Sequence, residues 1–225
     1  MRKHLTTLTI VLTVLGGILI GAEQRLWAFP KPSVYPKSWE LKFEHDTPKR
    51  IVVNVPGKDV PQAYWYMTFN VTNNSGTEQQ FMPIFDMLTN EGKVVRSDTD
   101  ILPVVFDAIK HAEPKKLLEP LHKVAGRVLL GDDQARDCVA IWPEATPVPR
   151  MGTLEIFVGG LSGETVTVKN GEVVDTTDWR PYSPEERKTF VVLQKTLEMD
   201  YQINGDEIYP GEDKVDLVKE DWIMR

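Results

Sequence analysis

The alternation of apolar and polar side chains is sharpest between Ala63 and Thr72. Trp65, Met67, Phe69 and Val71 fall on one side; Tyr64, Tyr66, Thr68, Asn70 and Thr72 fall on the other. A period of two with aromatic and β-branched content predicts a strand with one face in a core. Asn73-Asn74-Ser75-Gly76 predicts a turn, because Asn and Gly accept positive φ at low cost. Phe81 to Leu88 is the returning strand, with Pro83 marking an edge or bulge. After Asn90-Glu91-Gly92, Lys93 to Arg96 forms a third strand, so residues 63–96 read as an antiparallel meander. Upstream, Trp39, Leu41 and Phe43 alternate with charged residues, and Ile51 to Val55 is a short apolar run closed by Pro56-Gly57.

Residues 103–125 break this pattern. Val104, Val105, Ala108 and Ile109 suit one face of a short helix that ends before Pro114. Leu117, Leu118, Leu121 and Val124 suggest a further helical turn or two, interrupted by Pro120. Strands return at Arg127 to Leu130, Asp137 to Trp142, Thr153 to Val158 and Thr165 to Val168. Val191, Leu193, Leu197, Met199, Tyr201 and Ile203 alternate along one long strand, with Lys195 as the exception. Many short strands at regular spacing with few helices predict an all-β fold, an antiparallel β-sandwich with a short helical insertion at about 103–125. The sandwich is expected to span 38–208. Residues 209–225 read as an acidic, irregular tail, with Trp222-Ile223-Met224 able to dock.

The N-terminus has a different character. Met1-Arg2-Lys3-His4 is basic, and an 18-residue apolar run from Leu5 to Ala22 follows. A basic start, an apolar stretch and a small residue at its end form a secretory signal, with Ala22 or Ala28 as the cut. The same run is at the lower length limit for a membrane-spanning helix. Residues 1–22 are therefore a signal peptide or an N-terminal membrane anchor, and both readings export the body to the periplasm, envelope or exterior. Membrane contact is expected only through residues 5–22, and only if they stay uncleaved. Residues 23–37, with Pro30, Pro32 and Pro36, form a Pro-rich linker.

Composition narrows the function classes. The 225 residues hold 26 Lys and Arg against 33 Asp and Glu, a formal charge of -7. Without a dense basic run, this argues against nucleic acid as a partner. A single cysteine, Cys138, cannot form an intrachain disulfide or a cysteine-rich zinc site. Its apolar neighbours, Val139 to Trp142, predict burial as a small hydrophobe.

Tyr64-Trp65-Tyr66 followed by Val71-Thr72-Asn73-Asn74-Ser75-Gly76 resembles the central hairpin of exported bacterial immunoglobulin-like domains. Asn90-Glu91-Gly92-Lys93-Val94 is similar to the turn of the partner strand in those domains. Tyr35 to Leu41, Pro103 to Phe106 and Leu161 to Thr165 resemble an uncharacterised family of exported bacterial proteins of this size. The resemblance covers most of residues 35–225. It implies an immunoglobulin-like β-sandwich and export, and no activity.

Candidate chemistry is sparse. G-x-S-x-G, P-loop and G-x-G-x-x-G patterns are absent, so no catalytic residue is assigned. Asp132, Asp133 and Asp137 are the best suggestion for calcium, which takes clustered carboxylate oxygens on loops, although the EF-hand order is missing and a polar turn beside Gly131 is the favoured explanation. Asp107 and His111 share a helix face but match no zinc pattern. Asn70-Val71-Thr72 and Asn73-Asn74-Ser75 fit the N-glycosylation triplet as well as turn chemistry. Tyr64 and Tyr66 form an aromatic platform for a sugar or peptide if their face of the strand is open, and core if a second layer covers it. The expected role is a non-catalytic exported envelope module binding another envelope protein or a surface polymer. The alternative is a calcium- or other metal-dependent binding module or hydrolase on the same fold.

Overall fold

The computed structural model describes residues 30–89, 92–144, 152–175, 177, 181–204 and 214–225. The signal or anchor at 1–22, the first part of the linker and the turn at Asn90-Glu91 lie outside the described residues. The fold is all-β and mainly antiparallel.

One sheet contains β1 (Lys42–His45), β2 (Lys49–Val53), β3 (Gln62–Thr72), β7 (Glu119–Pro120) and β9 (Arg136–Pro143). β3 is its axis: β1 and β2 pair with its two halves, and β9 pairs along its length with Tyr66 opposite Ile141. The larger sheet contains β5 (Ile84–Thr89), β6 (Val94–Arg96), β10 (Gly152–Gly159), β11 (Thr165–Lys169), β12 (Glu172–Val173), β13 (Val191–Asn204) and β14 (Lys214–Met224). β4 (Gln79–Phe81) and β8 (Gly126–Val128) form a separate two-stranded ladder.

The two large sheets share one core. Trp65, Met67, Phe69 and Val71 of β3, with Cys138, Ala140 and Trp142 of β9, face Phe85, Met87, Leu154, Ile156, Val158, Leu197, Met199 and Tyr201. The expected period-two faces are those that meet. Cys138 is fully buried among them, and burial first, then the Glu119 and Asp137 charges, push its thiol pKa up.

The insertion forms α1 (Pro103–Ala112) and α2 (Leu121–Val124), separated by β7. Pro103 starts α1 where a missing N–H costs nothing. Val105 and Ile109, four apart on one face, are fully buried against the far side of the five-stranded sheet.

Two regions differ from expectation. The stretch read as one strand from Phe81 to Leu88 is split into β4 and β5 at Met82-Pro83, where Gly160 approaches. A Cβ on Gly160 would stand 2.4 Å from the Met82 carbonyl oxygen, and its φ is +88°, so only glycine fits. Residues 214–224, expected to be irregular, form the 11-residue β14 on β13. The ladder shifts register between Asp200 and Tyr201, leaving Val218 unpaired. This bulge reverses the alternation, so Val215 and Leu217 lie on the same face as Trp222 and Met224. A fixed period of two therefore does not detect the strand.

Among the described residues, no helix is long and apolar enough to cross a membrane.

Candidate functional site

Between β10 and β11 the chain steps away from the ladder through Gly160 to Glu164, and the start of the sandwich docks on this step. The Leu41 N–H donates to the Leu161 carbonyl (2.8 Å), the Gly163 N–H donates to the Trp39 carbonyl (3.0 Å), and Glu40 bridges to Ser162. A Cβ on Gly163 would meet Trp39 Nε1 at 2.4 Å and Ser38 Oγ at 2.5 Å. The glycine thus lets residues 38–41 lie close, and their position brings Glu40 to the end of β13.

There it meets Lys195. The alternation of β13 turns Lys195 inward with Leu197 and Met199, and the side chain is 5% exposed. A cation at such a place requires partners. Its ammonium is 2.8 Å from Glu40 and 3.9 Å from Glu164, and 4.7 Å from the centre of the Trp222 ring. Glu164 is itself nearly sealed; its Oε1 accepts the Ser33 N–H at 2.9 Å, while Oε2 has no hydrogen-bond partner. Burial alone would raise the Glu164 pKa. Bonds from Ser33 and the charges of Lys195 and Lys37 outweigh it and hold the carboxyl below its ordinary value.

The segment Pro30–Pro36 runs past this cluster, and each proline fixes φ and stiffens it. Between the segment and the end of β14 lies a cleft of about 640 Å³. The prolines and Val34 line one side. Trp222, Ile223 and Met224 line the other, with Lys31, Glu40, Lys195 and Asp221 supplying charge. A volume between roughly 300 and 1,000 Å³ with few polar groups is the usual form of a ligand pocket.

The residues singled out in the sequence lie elsewhere. Tyr64 and Tyr66 are 8% and 5% exposed, beneath α1 in a second core with Val53, Val105, Ile109 and Ile141. The Tyr66 hydroxyl donates to Glu113 (2.8 Å), which also receives Lys49 (2.8 Å). Burial, then Glu113, push the Tyr66 pKa up. This face of β3 is a closed layer and not an open platform. Beside it, Lys115 bonds Asp46 at 2.8 Å. Burial would raise the Asp46 pKa, but bonds from Lys115 and Thr68 hold it low.

Asp132, Asp133 and Asp137 do not converge. Asp132 accepts from Asn74 (3.1 Å), Asp133 from Gln134 (3.2 Å) and Asp137 from Asn70 (3.2 Å). These are turn and strand contacts. His111 turns back to the Asp107 carbonyl oxygen at 2.6 Å. Among the described residues, the acidic groups that do gather are Glu155, Glu198 and Asp200, whose oxygens lie within 4.8 Å of one another on the outer face of the larger sheet. Lys219 bonds Glu198 there and stands 3.9 Å from Asp200. Partial burial, then mutual repulsion, raise the pKa of Glu155 and Asp200. An acidic patch with its own lysine needs no metal.

The sequence did hold a signal for the cleft. Lys195 interrupts an apolar alternation, and a buried lysine demands a specific environment. Trp222 gave no period because of the bulge.

Comparison with known proteins finds no matching family model, no matching curated protein and no matching solved structure.

Proposed function

We propose that this chain is an exported, non-catalytic module of the cell envelope, built on an immunoglobulin-like β-sandwich, that binds a neutral surface polysaccharide in the cleft between Pro30–Pro36 and β14. The observation that carries the reading is the composition of that cleft: one indole wall, Trp222, beside the carboxylates of Glu40 and Asp221 and the ammonium of Lys195. An aromatic face packs on the C–H face of a sugar ring, and carboxylates accept from its hydroxyls. The lining charges balance, with Lys31 and Lys195 against Glu40 and Asp221. An uncharged, hydroxyl-rich ligand therefore suits it better than an ionic one. The basic start and apolar run of residues 1–22 support export.

The test is calorimetric titration of the folded domain with neutral oligosaccharides of glucose and of mannose. Saturable binding without release of new reducing ends is expected. Trp222→Leu, which keeps an apolar plug but removes the ring, is expected to weaken it about thirtyfold, as for an aromatic anchor. Absence of binding to both series, or equal binding by the variant, overturns the reading. Binding of an extended peptide at the cleft would replace the polymer by a protein partner.

A further inference from the structure

A second polar site lies on the opposite face of β13. Lys195 points inward to the cleft, while its neighbours Gln194 and Thr196 point outward and line a hollow of about 240 Å³ with Asp86, Arg96, Phe157 and Arg225. Asp86, on β5 next to the edge strand β6, is nine-tenths buried. Two guanidinium groups share its carboxylate: Arg96 through Nε and, at 3.4 Å, Nη2, and Arg225 through Nη1 at 3.2 Å. Among the described residues, Asp86 is the one carboxylate bonded to either arginine.

The two arginines are held differently. Arg96 reaches across from β6 and is half exposed. The Arg225 main chain is fixed by reciprocal bonds with Gln194, at 2.8 and 3.1 Å. Its guanidinium lies over the Phe157 ring, 4.2 Å from the centroid, a contact that orients the fork and reduces its freedom. A guanidinium carries five N–H donors, and the two Asp86 oxygens engage only part of each. The remaining donors border the hollow.

We infer that this hollow is a binding site for a single small oxyanion, a carboxylate or phosphate group, gripped between Arg96 and Arg225. Planar forks matched to two oxygens bind such groups with both direction and strength. The acidic patch limits the ligand further. Glu198 pairs with Phe157 across the ladder, and Glu155 and Asp200 stand beside it. A polyanion laid over this face would meet those charges, so the fitting ligand presents one anionic group and not a chain of them.

The experiment is NMR titration of the full domain, following the Nε–Hε signals of Arg96 and Arg225, with inorganic phosphate and with acetate in separate arms at constant ionic strength. Saturable movement of both signals in either arm supports the site, and the arm that saturates at lower concentration identifies the group. In Arg96→Gln, a substitution at a half-exposed side chain, the Arg225 signal is expected to need at least about tenfold more anion. The proposal fails if neither anion moves the signals, or if the movement is linear and unchanged in Arg96→Gln. In that case the arginines only brace Asp86. The outcome is independent of the polysaccharide reading, because the hollow and the cleft lie on opposite faces of β13.

Discussion

Tyr66 and Glu155 occupy equivalent places, each on the outward face of a central strand, yet one is sealed and the other meets water. Over Tyr66, the 103–125 insertion lays α1 on the sheet and adds a second core. Among the described residues no helix is laid over Glu155, and its neighbours are Glu198, Asp200 and Lys219. The polar groups differ accordingly. Beside and beneath α1 buried polar groups are linked in chains, as in Tyr66–Glu113–Lys49 and Thr68–Asp46–Lys115. A buried polar group left alone is costly, so such pairing is a condition of closure. The larger sheet instead keeps unbalanced charge on its open face and a cleft at its end. Polar residues on the five-stranded sheet thus serve stability, and under the proposed function recognition falls to the larger sheet.

The largest test of this contrast is Ile109→Ala, which cuts the apolar contact of α1. Urea unfolding is expected to show a loss of about 2–5 kcal/mol, as for other buried truncations of this kind. A change near zero would mean the helix does not close the face.

Asp98 stands where the chain crosses from the larger sheet to the insertion. Its N–H donates to the Ile141 carbonyl at 2.7 Å, and burial pushes its carboxyl up to about 6, against opposing bonds from Ser97 and Ile141. The folded pKa exceeds the unfolded one, so the native state holds its proton over a wider range. Stability should fall as pH rises from about 4 to about 6, by up to about 3 kcal/mol, and level off above. Asp98→Asn should remove this slope and raise stability at pH 7. The φ of +56° at this position favours Asn among replacements. A slope that persists in the variant would place its origin elsewhere.

Tyr66→Phe deletes one bond to a buried carboxylate that keeps Lys49. The expected loss is about 1–2 kcal/mol by denaturant titration, and no loss would show that the hydroxyl adds nothing to the pairing of Glu113 with Lys49. On the open face, Glu155→Gln relieves repulsion within the acidic patch. Thermal unfolding should show a small gain, within about 0.5 kcal/mol; a marked loss would reveal a structural role for the carboxylate.

Much of the fold was legible where local pattern and tertiary burial agree. The alternation in residues 63–72 gives β3 and both of its faces, and the break at 103–125 gives the insertion. What the pattern cannot say is what lies over the second face, so platform and core both stay open for Tyr64 and Tyr66 until α1 is in place. The cleft was less legible. Lys195 stood out as a fault in an apolar row, but its partners Glu40 and Glu164 are 155 and 31 positions away. Trp222, read as able to dock, could not be placed on a strand face because the bulge at Val218 inverts the face of every later residue in β14. Asp132, Asp133 and Asp137 are close in sequence, yet turn geometry sends each carboxylate to a different neighbour.

The measurement that bears most directly on the division of labour is a crossed one. The parent, Trp222→Leu and Tyr66→Phe are each titrated with neutral oligosaccharides of glucose and of mannose, and each is unfolded in urea. The account predicts that Trp222→Leu loses binding about thirtyfold and keeps most of its stability, whereas Tyr66→Phe loses stability and binds as the parent does. Parent-like binding by Trp222→Leu, or lost binding by a folded Tyr66→Phe, would contradict it.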